Sequence, residues 1–492
     1  TQRYDYLQEE TAGGFVTPGF YNIANSLERP SVINYLQKKE VRSAYGSVTL
    51  GFKNTYFLDA SLRNDISSTL PQNSNSYLYP AVSASMVFSQ LLKWRTLSFG
   101  KARLSFAQAG ADITPYLTTG YYNLGQPYGS NFPMDVPDIL NNPNLKPSLG
   151  TSYEAGLDLK FFQNRLNASA TWYHQNNKNA VLPLDVSGTS GYTTSVINAG
   201  NIENHGIELT VGGTPVTTKR FSWISTFNFS HNTSRIISLY PGLHSYQLDY
   251  NRYASVNMYL LANEGEPFGT IVGNGYKRDL KTGKVLLDAS NLPQYESNHK
   301  LGNVLPKFTG GWQNTVTWKN FDLSATIDFQ SGGKFLSWTK MLAVKSGQAA
   351  ETAATNDKGK NVRDDPASGG GVKISGLSSV TGQDVTAYVP ARAYYRNVLG
   401  SKIYDPWTED ASYIRLREAR LGYTFSRTAF PSFPFRSLNL ALIARNPWMI
   451  WQKAPKGVNP AELATGASSL NWLETGQLAT ARSYGVNLTI SF

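Results

Sequence analysis

Cysteine is absent from all 492 residues. That excludes disulfides and thiolate metal sites, and it favours an export route in which stray thiols are a liability. No run approaches the roughly 18 consecutive apolar residues that a membrane-crossing helix needs. The five histidines (His174, His205, His231, His244, His299) have no HExxH-like spacing, so neither a metal nor another cofactor is expected. Gly369-Gly-Gly and Gly273-Asn-Gly lack the strand–loop–helix context of a phosphate cradle and read as flexible loop. The carboxylate pairs Glu409-Asp410 and Asp364-Asp365 come with no sign of the defined pocket that general acid–base catalysis needs, so no enzyme is expected. Lys and Arg outnumber Asp and Glu by 45 to 34, a net charge of +11. They are dispersed, without a basic helix or patch, so nucleic acid is not an expected partner; a porin-like lumen or contact with anionic lipopolysaccharide suits such charge equally well.

Aromatics are present in quantity: 29 Tyr, 23 Phe and 10 Trp, in a chain that is only 41% apolar. Alternation reconciles the two figures, because a barrel strand gives every second residue to lipid. Tyr484, Val486, Leu488, Ile490 and Phe492 fall on one side of the last strand, with Ser483, Gly485, Asn487, Thr489 and Ser491 on the other. A chain ending on an aromatic resembles the closing strand of bacterial outer-membrane barrels, although a half-buried strand of a soluble protein has the same period. Phe321, Leu323, Ala325, Ile327 and Phe329 alternate just as cleanly with Asp322, Ser324, Thr326, Asp328 and Gln330. The same alternation recurs less cleanly in Leu58–Arg63, Lys101–Phe106, Tyr153–Phe161, Leu166–Trp172, Phe221–Ser230 and Ser437–Arg445. In Tyr413–Phe425 the phase slips: Ala419, Leu421, Tyr423 and Phe425 share a face that Ile414 and Leu416 do not. Either a bulge shifts the register or the first part of the strand projects above the membrane.

Connection lengths alternate too. Tight turns are expected at Lys53-Asn54, from Lys93 to Thr96, at Gln163-Asn164, from Gly213 to Lys219 and at Lys319-Asn320. Long polar or aromatic stretches fall between them, including 67–76, 110–152, 179–200 and 332–410. Counted back from Phe492, every tight turn lies on one rim, which is the arrangement of outer-membrane barrels with the short rim periplasmic. The expected fold is therefore all-β, an antiparallel transmembrane β-barrel with about 14–16 strands in this chain. Residues 1–40 are expected to form an extracellular loop region. Residues 41–492 would be barrel, with long extracellular loops at 110–152, 233–268, 332–410 and 447–479. Between 235 and 306 only Gly269–Tyr276 reads as a strand, and its partner is open.

Several runs resemble the SusC/RagA family of TonB-dependent outer-membrane transporters of Bacteroidetes. They are Asn142-Pro-Asn-Leu-Lys-Pro, Thr151-Ser-Tyr-Glu-Ala-Gly-Leu-Asp with Phe161-Phe-Gln-Asn-Arg-Leu, and Asn198-Ala-Gly-Asn-Ile-Glu-Asn-His-Gly-Ile-Glu-Leu. Further matches are Leu305-Pro-Lys-Phe-Thr-Gly-Gly, Asn320-Phe-Asp-Leu-Ser with Phe329-Gln-Ser-Gly-Gly, and Trp407-Thr-Glu-Asp-Ala-Ser-Tyr-Ile-Arg-Leu-Arg. They run in family order from about Tyr45 to Phe492. The resemblance implies the C-terminal part of a plugged barrel of about 22 strands, since Val41–Phe52 already looks like mid-barrel sequence. Any plug, TonB box or export signal is expected to lie outside the chain, which opens on Thr1-Gln-Arg-Tyr. Where relatives continue from a run such as Asp279–Asp288 into an acidic, calcium-loop-like turn, this chain has Ala289-Ser-Asn-Leu-Pro, and no metal is expected there.

The resemblance further implies TonB-energised import across the outer membrane of oligosaccharides or oligopeptides, with a SusD-like surface lipoprotein as partner and lipopolysaccharide and outer-membrane lipid as surroundings. A passive diffusion porin is the alternative, and a soluble nucleic-acid-binding β-protein a third. Aromatic faces beside amide and hydroxyl groups suit sugar stacking or peptide capture. The expected ligand residues are Tyr121, Tyr122, Tyr128, Trp338, Tyr394, Tyr395 and Arg396; packing of loop against loop would use the same residue types. Lys101, Arg103, Asp158, Lys160 and Asp328 are expected to face the lumen. Trp172, Trp223, Trp312 and Trp318 are expected in aromatic girdles.

Overall fold

A computed structural model describes residues 1–92, 94–125, 129, 131–250, 258–426, 434–465 and 470–492. Tyr128, Lys93 and parts of the expected loops 110–152, 233–268 and 447–479 lie outside the described residues. The chain divides into two compact units, one of residues 1–85, 104–153 and 175–201, the other of 86–103, 154–174 and 202–492.

The main sheet has 14 strands. Its path takes the wall strands in sequence order: Val41–Phe52, Tyr56–Ser67, Ser76–Met86, Leu97–Ala111, Ser148–Phe161, Leu166–Asp185, Thr194–Thr217, Phe221–Ser238, Pro306–Trp318, Phe321–Gly332, Tyr413–Ser426, Ser437–Gln452 and Ser483–Ser491. Ile139–Leu140 pairs with Thr194–Ser195 off this path. Such a meander puts the short connections 53–55, 162–165, 218–220 and 319–320 on the rim where the chain ends at Phe492. The connections 112–147, 239–305, 333–412 and 453–482 leave from the opposite rim. The tight turns pass through the left-handed region, with Lys53 and Asn54 at φ 53° and 51° and Asn164 at 65°, and asparagine is a residue that tolerates it. The stretch 179–200, expected as a loop, is mostly strand, because Leu166–Asp185 and Thr194–Thr217 run far longer than the roughly 9–11 residues a bilayer needs.

Apolar residues on the wall stay exposed. Tyr484, Val486 and Leu488 are 72%, 67% and 54% accessible, and Leu323 and Leu442 half-exposed, which suits a face turned to lipid. At the short-turn rim Trp318 stacks on Phe321, whose ring meets Tyr423 edge-on at 4.8 Å; Tyr423 in turn meets Phe425. The phase slip in the strand Tyr413–Ser426 is a bulge. Thr326 pairs with Glu418 but Ile327 with Leu416, so Arg417 is the extra residue.

In the first unit, Gln2–Phe15 and Ser26–Lys39 form an antiparallel hairpin, far more regular than a loop. Its tip is held by Asn25, whose amide donates to the Thr17 and Phe20 carbonyls and accepts from the Thr17 N–H. A small core of Leu70, Ile113, Leu145 and Val196 lies beneath the long connections of this unit.

The second unit has a larger core built from three long connections. Met258, Leu260 and Ile271 come from the first, Leu336, Met341, Val344, Tyr404 and Trp407 from the second, and Trp472 and Leu473 from the third. Here Thr270–Tyr276, the strand without an assigned partner, sits between Met258–Asn263 and Tyr295–Asn303 in a four-stranded sheet. A second sheet joins Lys334–Ser337 to Thr408–Asp410 and, in parallel, to Asn471–Glu474. The long-rim connections of this unit therefore make a folded cap with its own hydrophobic centre.

Candidate functional site

The helix Trp338–Lys345 follows from its sequence: Ser337 accepts from the Lys340 N–H as N-cap, and Met341 and Val344 put one face into the core. Its N-terminus is also held by Glu474, which is buried and accepts from Ser337 Oγ at 2.8 Å, the Thr339 N–H at 3.1 Å and Thr339 Oγ1 at 2.5 Å. A carboxylate at a helix N-terminus meets unpaired N–H groups and the positive end of the helix dipole. Glu474 thereby fixes the next residues, Thr475 and Gly476, beside the helix.

Helix, strand end and the π-helical segment Arg392–Leu399 line an open cavity of about 1390 Å³. Trp338, Tyr395 and Arg396 line it, as do Lys345, Arg363, Arg392, Asp364, Asp365, Thr475 and Gly476. The Arg363 guanidinium is spent on the carbonyls of Gly347 and Thr352 and on Thr352 Oγ1, and Asp365 caps a short helical turn through the Ala367 N–H. Among the described residues no ion pair engages Lys345, Arg392 or Arg396. The Tyr395 hydroxyl donates to the Glu351 carbonyl at 3.1 Å. Burial pushes the phenols of Tyr394 and Tyr395 up from their ordinary value, as it does Tyr276, which is hydrogen-bonded to Tyr394. All three are neutral donors at physiological pH. The cavity thus offers the aromatic faces of Trp338 and Tyr395 and the cations of Lys345, Arg392 and Arg396, while Tyr276 and Tyr394 lie outside its lining.

Of the expected ligand residues, Trp338, Tyr395 and Arg396 come together here. Tyr394 meets Tyr395 edge-on at 5.0 Å but packs against the cap core. Tyr121 and Tyr122 belong to the other unit, exposed and away from its cavity of about 610 Å³. Phe335 is fully buried, and Tyr388 donates to Asp357 under the Lys358 ammonium; for these two, loop-on-loop packing is the right description. Lys345, Thr475 and Gly476 were not foreseen. The Ser337 cap followed by an apolar i, i+3 pair was a legible helix signal for Lys345; nothing local marks the other two.

The five residues expected to face the lumen all lie on the face opposite the exposed apolar side chains. Arg103 pairs with Asp158 at 3.4 Å and donates to Thr171 at 2.6 Å, and Lys160 lies over the Phe99 ring. Asp328 is held by Arg415 through Nε (3.1 Å) and Nη2 (2.9 Å) and by the Tyr413 hydroxyl (3.2 Å). Lys101 is half-buried. Asp279 accepts from Thr282 and the Lys281 N–H, and Asp288 from the Ser290 and Leu292 N–H groups, so both carboxylates close turns. The absence of metal-ligand spacing in the sequence does not carry into three dimensions, since His174, Glu203 and His205 place ligand atoms within 4.8 Å of one another.

A family model described as "TonB dependent receptor-like, beta-barrel" matches residues 1–446. The chain is similar to TonB-dependent receptor P3 of Formosa agariphila, at 24% identity over 478 residues, 90% of this chain and 45% of that protein. It is also similar to TonB-dependent receptor SusC of Bacteroides thetaiotaomicron, at 24% over 220 residues, 42% of this chain and 22% of that protein. Among solved structures, the RagAB peptide transporter superposes with a TM-score of 0.73 at 20% identity, covering 97% of this chain and 51% of the matched chain. The chain spans about half the length of such relatives, and the likeness to RagAB establishes a shared fold.

Proposed function

We propose, for a chain that belongs to the TonB dependent receptor-like β-barrel family and is an outer-membrane barrel protein, that it serves active import of oligosaccharides or oligopeptides. TonB supplies the energy and a SusD-like surface lipoprotein assists capture at the long-loop rim. The single observation that carries this reading is the cap cavity, where Trp338 and Tyr395 supply ring faces and Arg392 and Arg396 unpaired donors. Such a set suits a polar, extended ligand that stacks as well as hydrogen-bonds. Lys101, Arg103, Asp158, Lys160 and Asp328 then line the lumen. Import also requires that the loops bind cargo better in one state of the cap than in another, since equal affinity shifts nothing.

The test is purification of the full-length protein carrying these residues from outer membranes in mild detergent. A SusD-like lipoprotein co-purifies, and Arg392→Ala with Arg396→Ala weakens binding of the cargo oligomer while leaving the barrel folded. Recovery without a lipoprotein, together with a steady open conductance in planar bilayers, would replace this reading with that of a diffusion porin.

A further inference from the structure

The ladder between the strands Leu166–Asp185 and Thr194–Thr217 is pinned at its short-turn end, where the Thr214 N–H donates to the Arg165 carbonyl at 2.7 Å. Counted along an antiparallel ladder from that bond, His174 lies opposite His205 in a non-hydrogen-bonded pair, the kind whose side chains approach most closely. Glu203 is two residues from His205 and so shares its face. Nitrogen and carboxylate oxygen atoms of all three residues lie within 4.8 Å of one another, with His205 Nδ1 3.7 Å from Glu203 Oε1. Nothing about a separation of about thirty residues marks this in the sequence; the hairpin register creates it.

The face is the apolar one. Trp172 and Ile207, next toward the short-turn rim on the two strands, are 47% and 48% exposed, and the His174 ring stacks on Trp172 with centroids 6.4 Å apart. From Leu166 to His174, at about 3.3 Å per residue and a tilt of about 40°, the strand climbs about 20 Å of an apolar band about 25 Å tall. The cluster is thus near the outer margin, within reach of extracellular water. A carboxylate there, on a phase otherwise held by Trp172, Ile207, Leu209 and Val211, is costly unless its charge is met.

We propose that His174, Glu203 and His205 form a binding site for a divalent transition metal of the zinc class on the outward face of the wall. Two imidazoles and a carboxylate are a zinc ligand set, with bonds of about 2.0–2.2 Å that small side-chain rotations can reach from the present spacing. Imidazole nitrogen favours Zn²⁺, Cu²⁺ or Ni²⁺ over Mg²⁺ and Ca²⁺, which take oxygen ligands. Three protein ligands leave a position for water. The metal cross-links two neighbouring strands and neutralises Glu203.

The experiment uses the untagged full-length protein in detergent, stripped with chelator and titrated with zinc chloride by calorimetry. One Zn²⁺ per chain is expected, unaffected by excess magnesium chloride. His174→Asn and His205→Asn should each weaken it by about tenfold or more, with the heat-modifiable gel mobility of the folded barrel unchanged. Should either variant misfold, Cu²⁺ electron paramagnetic resonance on the unaltered protein decides: nitrogen hyperfine structure supports the site, and oxygen-only coordination overturns it. Absence of stoichiometric zinc, zinc displaced by magnesium, or zinc retained at full affinity in the folded double variant also overturns it.

Discussion

Trp472 tests whether the cap is a cooperative body or a set of independent loops. Its side chain is fully buried, packs with residues from all three long connections, and donates from Nε1 to Asp249 Oδ2 at 3.0 Å. Trp472→Ala removes the whole ring from that core, which costs about 3–5 kcal/mol. It also leaves the buried Asp249 carboxylate short of a donor, worth about 1–3 kcal/mol more. Trp472→Phe separates the two contributions, since it keeps most of the ring and loses the hydrogen bond. Packing is the larger part, so the alanine variant should suffer at least twice the loss of the phenylalanine one. Hydrogen exchange on the detergent-purified protein is the assay. Met258–Asn263 and Trp338–Lys345, distant in sequence from Trp472 but in contact with the same core, should lose protection together, while Phe321–Gly332 and Ser437–Gln452 keep theirs. If only 470–476 exchanges faster, the cap is not one cooperative unit. If the wall strands lose protection equally, cap and wall are not separable.

Two further outcomes follow from charge pairs. Arg415 is 9% exposed and grips Asp328 with two nitrogens while a third reaches Glu462 at 3.1 Å. Arg415→Met alone should therefore destabilise by about 3–5 kcal/mol, and the double variant with Asp328→Asn by clearly less, because the single change strands a charge; denaturant unfolding of the folded barrel measures both, and equal losses would contradict the pairing. Asp410, in the cap, is 14% exposed. Burial works to raise its pKa, but Ser412, Lys453 and Lys334 outweigh it and hold the carboxyl at about 2, below the ordinary 3.8. Its folded value being the lower one, the stabilisation of about 2 kcal/mol is whole above about pH 4 and is lost as pH falls toward 2. Acid thermal melts should show that loss, and Asp410→Asn should flatten the profile over the same window.

What the sequence made legible was local. Alternation along Phe321–Phe329 or Tyr484–Phe492 needs only a strand and two solvents, and turn residues such as Lys53-Asn54 act over two or three positions. Even the slip at Arg417 could be read, because a bulge reverses phase within a single strand. The cap was illegible for the opposite reason: Met258, Trp407 and Trp472 are ordinary apolar residues in three separate connections, and only the fold makes them one core. Loop aromatics shared that ambiguity. Phe335 and Trp338 are three residues apart, yet one is sealed in the cap and the other lines its cavity. Nor did spacing rules find His174 and His205, since cross-strand register is not a sequence interval.

The wall and the cap are held by different forces, and that difference bears on how cargo could act. Wall strands keep their apolar side chains exposed and rely on ladder hydrogen bonds between long neighbours, whose cost of opening within lipid is high. The cap, in water, rests chiefly on aromatic and aliphatic packing with buried polar contacts such as Trp472–Asp249 beside it, and its opening is governed by those contacts. Trp338 and Lys345 face the cavity from the same helix that sends Met341 and Val344 into the core. A ligand seated there therefore stabilises the packed cap by about 2.7 kcal/mol at a hundred times its dissociation constant. That offsets part of the summed loss of about 4–8 kcal/mol assigned to Trp472→Ala. Saturating cargo should accordingly restore part of the hydrogen-exchange protection of Met258–Asn263 in that variant, while a ligand held only by the exposed loops of the other unit should restore none.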